Sequence, residues 1–179
     1  TDQGIRTTYP INVDGTYSVD ANANWSFPIR FIKSSISLNT NVYKSKNINL
    51  LNGVQNQIDN WNIGEELNVN FYGSKTIELN LGARISFNDV HYSIGRQQST
   101  QYWNQEYFAD ADIQLPAGFG VSTEFVFTKN TGYADGFNTD IVLWNAGVSK
   151  YLFKNKRGEI SFRVYDILNE NAGITRNAN

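Results

Sequence analysis

Asp110 and Asp112 stand two residues apart, and Glu124 follows within the next run of alternating residues. On an extended strand that spacing puts both aspartates on one face, where three carboxylates could meet a hard cation. The Asp/Gly-rich spacing of an EF-hand loop does not accompany them, and no metal site is assigned. Asp20, Glu66, Glu78 and Glu106 fall on the same parity of their own runs, against only Arg84 and Arg163. Together the nine residues would make an acidic wall that favours cationic or hydroxyl-rich ligands, or basic groups of a neighbouring domain. The plain alternative is a solvated polar face whose charges meet water. Catalysis finds little support. His91 is the single histidine, is expected in an outer loop, and has no serine or aspartate that the sequence ties to it. No nucleophile motif and no phosphate-cradling glycine loop occurs, so no catalytic residue and no cofactor is assigned.

What holds these residues in place must be built from 179 residues, a formal charge of -2, 40% hydrophobic residues and no cysteine. The missing cysteines exclude disulfides, thiolate metal sites and a cysteine nucleophile. Neither sign of charge dominates, which gives no reason to expect a nucleic-acid partner. No run of about 18 apolar residues exists, so no transmembrane helix is expected. A transmembrane β-barrel keeps only alternate residues apolar, and a mean hydropathy of -0.44 suits it as well as a soluble protein. No signal peptide begins at Thr1, so the chain is expected to be mature or a fragment.

The stretch from Gly15 to Phe27, GTYSVDANANWSF, sets the pattern. Alternate residues from Tyr17 to Phe27 are apolar, and those between, including Asp20, Asn22 and Asn24, are small or polar. Alternation at period two predicts strands at 16–27, 35–43, 61–72, 76–88, 102–115, 119–128, 140–153 and 159–168. The fourth is the cleanest, with Ile77, Leu79, Leu81, Ala83, Ile85 and Phe87 opposite Glu78, Asn80, Gly82, Arg84, Ser86 and Asn88. Glu65 interrupts the apolar face of the third. Near a membrane rim it would cost little, and deeper it would be a penalty.

Connections sort into two kinds. Pro28–Lys33, Gly73–Lys75, Pro116–Gly118 and Lys154–Gly158 are compact, whereas 44–60, 89–101 and 128–139 are long and polar. Short turns at one end and long loops at the other is the asymmetry of outer-membrane barrels. The best runs, of about 11 residues, match a tilted membrane crossing better than a globular strand of about 5–6. Aromatic residues gather at both ends. Trp25, Phe27, Phe31, Phe71, Phe119, Tyr151 and Phe153 fall near short turns, and Trp61, Phe87, Tyr92, Trp103, Tyr107, Phe127 and Phe137 near long loops. Trp144 joins the membrane-rim set. Two belts are what amphipathic rings produce at headgroup level; the alternative is aromatic packing inside a β-sandwich.

The segment Trp144 to Asn171, WNAGVSKYLFKNKRGEISFRVYDILNEN, resembles the penultimate hairpin of the TonB-dependent-receptor-like outer-membrane β-barrels of Bacteroidota-type bacteria. Its marks are Trp144-Asn145, the basic turn Lys154 to Gly158, and Val-Tyr-Asp-Ile-Leu-Asn at Val164 to Asn169. The turn Leu115 to Phe119 and the Tyr-rich approach from Tyr102 to Phe108 also fit. The specific motif covers about the last fifth of the chain. The resemblance implies an all-β, antiparallel up-and-down barrel embedded in outer-membrane lipid, of which these eight strands are part of a wall of about 22. It also implies a plug domain and a TonB-type energy-coupling partner. The family's amino-terminal plug parts and the usual closing strand are missing from 1–179, and both ends of the eight-strand series fall on the long-loop side, so a partial barrel domain is expected.

The leading functional expectation is therefore a segment of an outer-membrane transporter or receptor that takes up nutrients through a plugged lumen. A structural barrel that scaffolds a surface or secretion complex is the second, with Ile48 to Asn60 as a docking loop for a surface lipoprotein or other partner. A soluble lipocalin-like barrel is the third, and would turn Trp25, Trp61 and Trp103 inward. The cluster Lys154, Lys156 and Arg157 is expected to meet anionic headgroups at the membrane rim.

Overall fold

A computed structural model describes residues 12–51, 53–94, 99–153, 155 and 157–171. The alternating runs become eight strands: β1 (Tyr17–Ile29), β2 (Ser34–Leu51), β3 (Val54–Phe71), β4 (Ile77–Tyr92), β5 (Thr100–Leu115), β6 (Phe119–Thr131), β7 (Thr139–Leu152) and β8 (Gly158–Val164). They form one antiparallel sheet in chain order, β1 through β8, each strand paired only with its sequence neighbours. Among the described residues β1 and β8 do not pair with one another, so the sheet is open.

Directly opposed residues of antiparallel strands share a face, so the register fixes what lies on each side. The row Ile36, Val69, Leu81, Ala109, Phe125 and Trp144 runs across six strands on the apolar side. The same row starts two residues from the turn end of β2 at Ser34 and finishes eight residues from the turn end of β7 at Leu152. That progressive stagger is the shear that tilts strands in a barrel wall.

No hydrophobic side chain among the described residues is buried. The buried residues are Ser34, Ser45, Asn56 and Asn88, all polar, and Gly147, which has no side chain. Trp25 is 61% exposed, Val19 58%, Phe162 71% and Ile160 64%. A single layer with its apolar side bare has no second layer to cover it, as a domain stable in water requires. Such a face has to be covered by something apolar from outside.

Two of the compact connections fold as 3₁₀ turns, while Pro28 and Ile29 continue β1. A 3₁₀ turn at Arg30–Ile32 joins β1 to β2, with Lys33 at φ 48, and a second at Pro116–Gly118 joins β5 to β6. Ala117 adopts φ 60 and Gly118 φ 80, so the proline and glycine of this turn set its shape. Lys154 and Lys156 lie outside the described residues, and of the basic cluster only Arg157 is described.

Two expectations are corrected. The stretch 44–60 is no loop: β2 and β3 pair along its length, closing at Leu51 opposite Val54. Polar residues occupy both faces of this arm, with Asn49 opposite Asn56 and Leu50 opposite Gln55. A hairpin with polar residues on both faces needs no alternation, which is why the pattern faded there. At about 3.3 Å per residue and a tilt near 40°, strands of 18 residues stand about 45 Å tall, so the arm rises about 20 Å beyond an apolar band of about 25 Å. Likewise β4 and β5 reach Tyr92 and Thr100, and His91 sits on β4 opposite Asp59 rather than in a loop.

The other correction is β8, which ends at Val164 and not at 168. Asp166 turns to φ 51 and donates its N–H to Asn145 Oδ1 at 2.9 Å, and Ile167 N–H then rejoins the ladder at the Trp144 carbonyl. The Asp166 carboxylate accepts N–H groups from Glu170 and Asn171, while Glu170 Oε2 accepts the Val142 N–H. The residues Trp144-Asn145 and Asp166 to Asn171 thus form a hydrogen-bonded bulge that ends strand pairing.

Candidate functional site

The register brings all nine charged residues singled out in the sequence onto one face. Asp20 lies across from Tyr43, Glu66 from Arg84, Arg84 from Glu106, Glu78 from Asp112, Asp110 from Glu124, and Asp112 from Ser122. Arg163 reaches the same side opposite Gly147, which is opposite Ser122. The seven rim aromatics, Trp25, Phe27, Trp61, Phe71, Trp103, Tyr107 and Trp144, occupy the other face. Tyr92 and Tyr151 do not join them. Tyr92 pairs with Ile58 and Tyr151 with Glu159 on the polar side, because nearness to a strand end decides height and parity decides face.

At the centre of the polar face Arg84 stands between two carboxylates, with Nε 3.3 Å from Glu66 Oε1 and Nη1 2.5 Å from Glu106 Oε1. Its guanidinium also lies 4.7 Å from the centre of the Phe108 ring. Phe108 comes from the inner parity of β5 and leans over Gly82, where a side chain would collide with the ring. Glycine at that point lets an aromatic ring lie flat along the wall and support the arginine. Asn68 Nδ2 donates to Glu66 Oε1 at 2.8 Å. The Arg84 side chain is 53% exposed, so the triad is wet and each pair contributes at most about 1 kcal/mol.

Three of the remaining acids, Asp20, Asp110 and Glu124, are held by asparagine. Asn22 and Asn41 donate to Asp20 at 2.6 and 3.3 Å, Asn80 to Asp110 at 3.4 Å, and Asn145 to Glu124 at 3.1 Å. Amides beside carboxylates supply donors without adding cations. Between Glu78, Asp112 and Arg163 lies a cleft of about 280 Å³, and a second of about 390 Å³ is lined by Asn39, Asn41, Arg84, Asn104 and Glu106. Asp110, Asp112 and Glu124 share the face yet form no metal cage. Among the described residues no group of three or more histidine and carboxylate side chains is placed to hold an ion.

Sequence reasoning missed Phe108, Gly82 and the β6–β7 loop. That loop bends over the polar face: the Tyr133 ring packs at a tilt against Tyr102, 4.5 Å between centres, and its hydroxyl donates to Asn104 Oδ1 at 2.6 Å. Burial, and then the neighbouring Tyr102, raise the Tyr133 pKa. Parity would have revealed Phe108 and Tyr102, but nothing in the sequence reveals where a loop folds.

Glu65 lies on the apolar face. It is six residues before the turn end of β3 at Phe71, about 20 Å along the strand and about 15 Å in height. Thr40, directly opposite, donates Oγ1 to Glu65 Oε2 at 2.7 Å, while Oε1 is buried without a partner. The break in the third run is therefore deep, and a cross-strand hydroxyl softens it.

Neither a curated protein nor a solved structure matches the chain. A family model does, along almost the whole length from residue 2 to residue 179. The bare apolar face, the staggered eight-stranded sheet and that match agree: the chain belongs to the outer membrane protein beta-barrel family, as an integral β-barrel protein of the outer membrane.

Proposed function

We propose that these strands are part of the wall of a TonB-dependent-type transporter or receptor, which takes up a nutrient through a plugged lumen using energy supplied from the inner membrane. The observation that carries this reading is the open sheet. β1 and β8 leave their outer edges without each other, and backbone groups unpaired in lipid are too costly to persist, so further strands complete the ring. A ring of about 22 strands encloses more space than wall side chains fill, which is where a plug belongs. The wet acidic face suits that role. Its carboxylates, with Arg84 and Arg163 among them, would meet basic groups of a plug, or a cationic or hydroxyl-rich ligand passing along the wall.

A second reading, a barrel that scaffolds a surface or secretion complex, is favoured by the β2–β3 arm. Leu50 and Val54 at its tip are 43% and 59% exposed, in a hairpin that stands clear of the membrane. A surface lipoprotein would find paired, rigid backbone there.

Deleting the gene for the full-length protein and following uptake of a panel of labelled solutes separates the two. Transport predicts that uptake of at least one solute is lost, and that in the wild type this uptake stops when a protonophore collapses the inner-membrane gradient. Unchanged uptake of every solute, with loss of an assembled surface complex, would favour the scaffold.

A further inference from the structure

The apolar face carries its charges in an uneven way. Lys129 is 3.9 Å from Asp140, but Lys44 and Lys46 make no ion pair among the described residues. Asp59, opposite Lys46, is engaged by Gln57 Nε2 at 2.5 Å. Both lysines stand on β2 on the lipid side, as their partners Val19, Tyr17 and Trp61 show. Lys44 is ten residues from the turn end at Ser34, about 33 Å along the strand and about 25 Å in height at a tilt near 40°. That is the upper boundary of the apolar band, and Lys46 is one side-chain step above it.

The surroundings of this pair are specific. Lys44 Nζ lies 4.6 Å from the centre of the Trp61 ring, which fixes the ammonium at the aromatic belt. Tyr17, directly across from Lys46, is 43% exposed and offers its phenol at the same level. Two cations that form no ion pair among the described residues, a phenol donor and an indole face are the groups that recognise a phosphorylated sugar. The cations and phenol take the phosphate oxygens, and the indole takes the C–H face of the ring.

We propose that Tyr17, Lys44, Lys46 and Trp61 form a binding site on the outside of the barrel for the phosphorylated glycolipid headgroup of the outer leaflet. The site does not depend on what the lumen carries. It fastens the wall at one angular position, beneath the β2–β3 arm, to the lipid whose headgroup lies at that height.

The test uses the full-length protein in lipid nanodiscs and native mass spectrometry, with a phosphorylated diglucosamine lipid and its dephosphorylated form as probes. The wild type should retain the phosphorylated lipid. The Lys44→Gln/Lys46→Gln variant should lose about twenty-five-fold in retention, at about fivefold per lysine near a charged surface. A Lys129→Gln variant, altered at the lysine that already has a carboxylate, should retain lipid as the wild type does, which separates loss of the site from loss of one charge. Equal retention of the two lipids, an unaffected double variant that still migrates as a folded barrel, or displacement of the lipid by millimolar inorganic phosphate would overturn the proposal.

Discussion

Two adjacent residues of β3 put the assignment of faces to a quantitative test. Leu67 lies on the apolar side between Leu38 and Ala83, and Asn68 on the polar side between Ser37 and Gly82. Leu67 is four residues from the turn end at Phe71, about 13 Å along the strand and about 10 Å in height, close to the middle of a band of about 25 Å. An arginine in its place faces acyl chains with both headgroup regions at the limit of its reach. The expected cost is about 2–4 kcal/mol, or roughly 30- to 1000-fold in the folding equilibrium. At Asn68 the same arginine meets water and the Glu66 carboxylate that Asn68 already contacts, so the change should stay within about 1 kcal/mol.

The assay is equilibrium unfolding of the full-length protein in lipid vesicles by guanidinium, followed through tryptophan fluorescence. Leu67→Arg should shift the midpoint strongly to lower denaturant, while Asn68→Arg leaves it nearly in place. Equal shifts would refute the argument, because a one-residue step along a strand must change the solvent of the side chain. A reversed order would mean that the apolar face is turned inward, as a lipocalin-like barrel requires.

Further outcomes follow from single contacts. Glu65→Leu should stabilise the folded barrel by about 1–2 kcal/mol, since it removes a deep carboxylate with one oxygen unpartnered, whereas Thr40→Val should cost about 1 kcal/mol by taking its donor away; the same unfolding assay reads both. Gly82→Ala should cost about 1–3 kcal/mol because the new Cβ meets both the Phe108 ring and the Leu67 carbonyl oxygen, and combining it with Phe108→Ala should recover only the part of the loss that the ring causes. Asp166→Ala should free the N–H groups of Glu170 and Asn171, seen as faster amide hydrogen exchange at those two residues and at Val142. Tyr133 titrates above the usual phenol value near 10, so the stability its docking adds is complete below that value and fades as pH rises through the raised one; phenolate absorbance, compared with Tyr133→Phe, checks this.

What could be read from the residues alone was whatever has a period of two. The nine charged residues singled out by parity share one face and Trp25, Phe27, Trp61, Phe71, Trp103, Tyr107 and Trp144 the other, while Tyr92 and Tyr151 do not, because one step along a strand reverses the side. Strand ends were less legible. Alternation records a difference between two solvents, and above the membrane the β2–β3 arm carries polar residues on both sides, so Asn47, Asn49 and Gln57 read as loop. The end of β8 was hidden for another reason. Asp166 leaves the strand through side-chain hydrogen bonds and Asn169 through its backbone N–H to the Asp166 carbonyl, and the left-handed backbone both adopt belongs to that turn rather than to the alternating pattern.

Stagger is the part that no single strand contains, and it changes how the polar residues on the lipid side should be understood. Thr40, Glu65, Ile85, Gln105, Lys129 and Asp140 form one row across the apolar face. If the wall were untilted, that row would carry five polar residues at one depth in the bilayer. Because it climbs, Gln105 stands ten residues above the turn end of β5 at Leu115 and Asp140 twelve above that of β7, at about 25 and 30 Å of height, where headgroups and water solvate them. Thr40 and Glu65 alone remain deep, each six residues from its turn end, and they are hydrogen-bonded to each other. The tilt that closes a barrel therefore also lifts most of a polar row out of the hydrocarbon, and the pair it leaves behind is the one whose side chains meet.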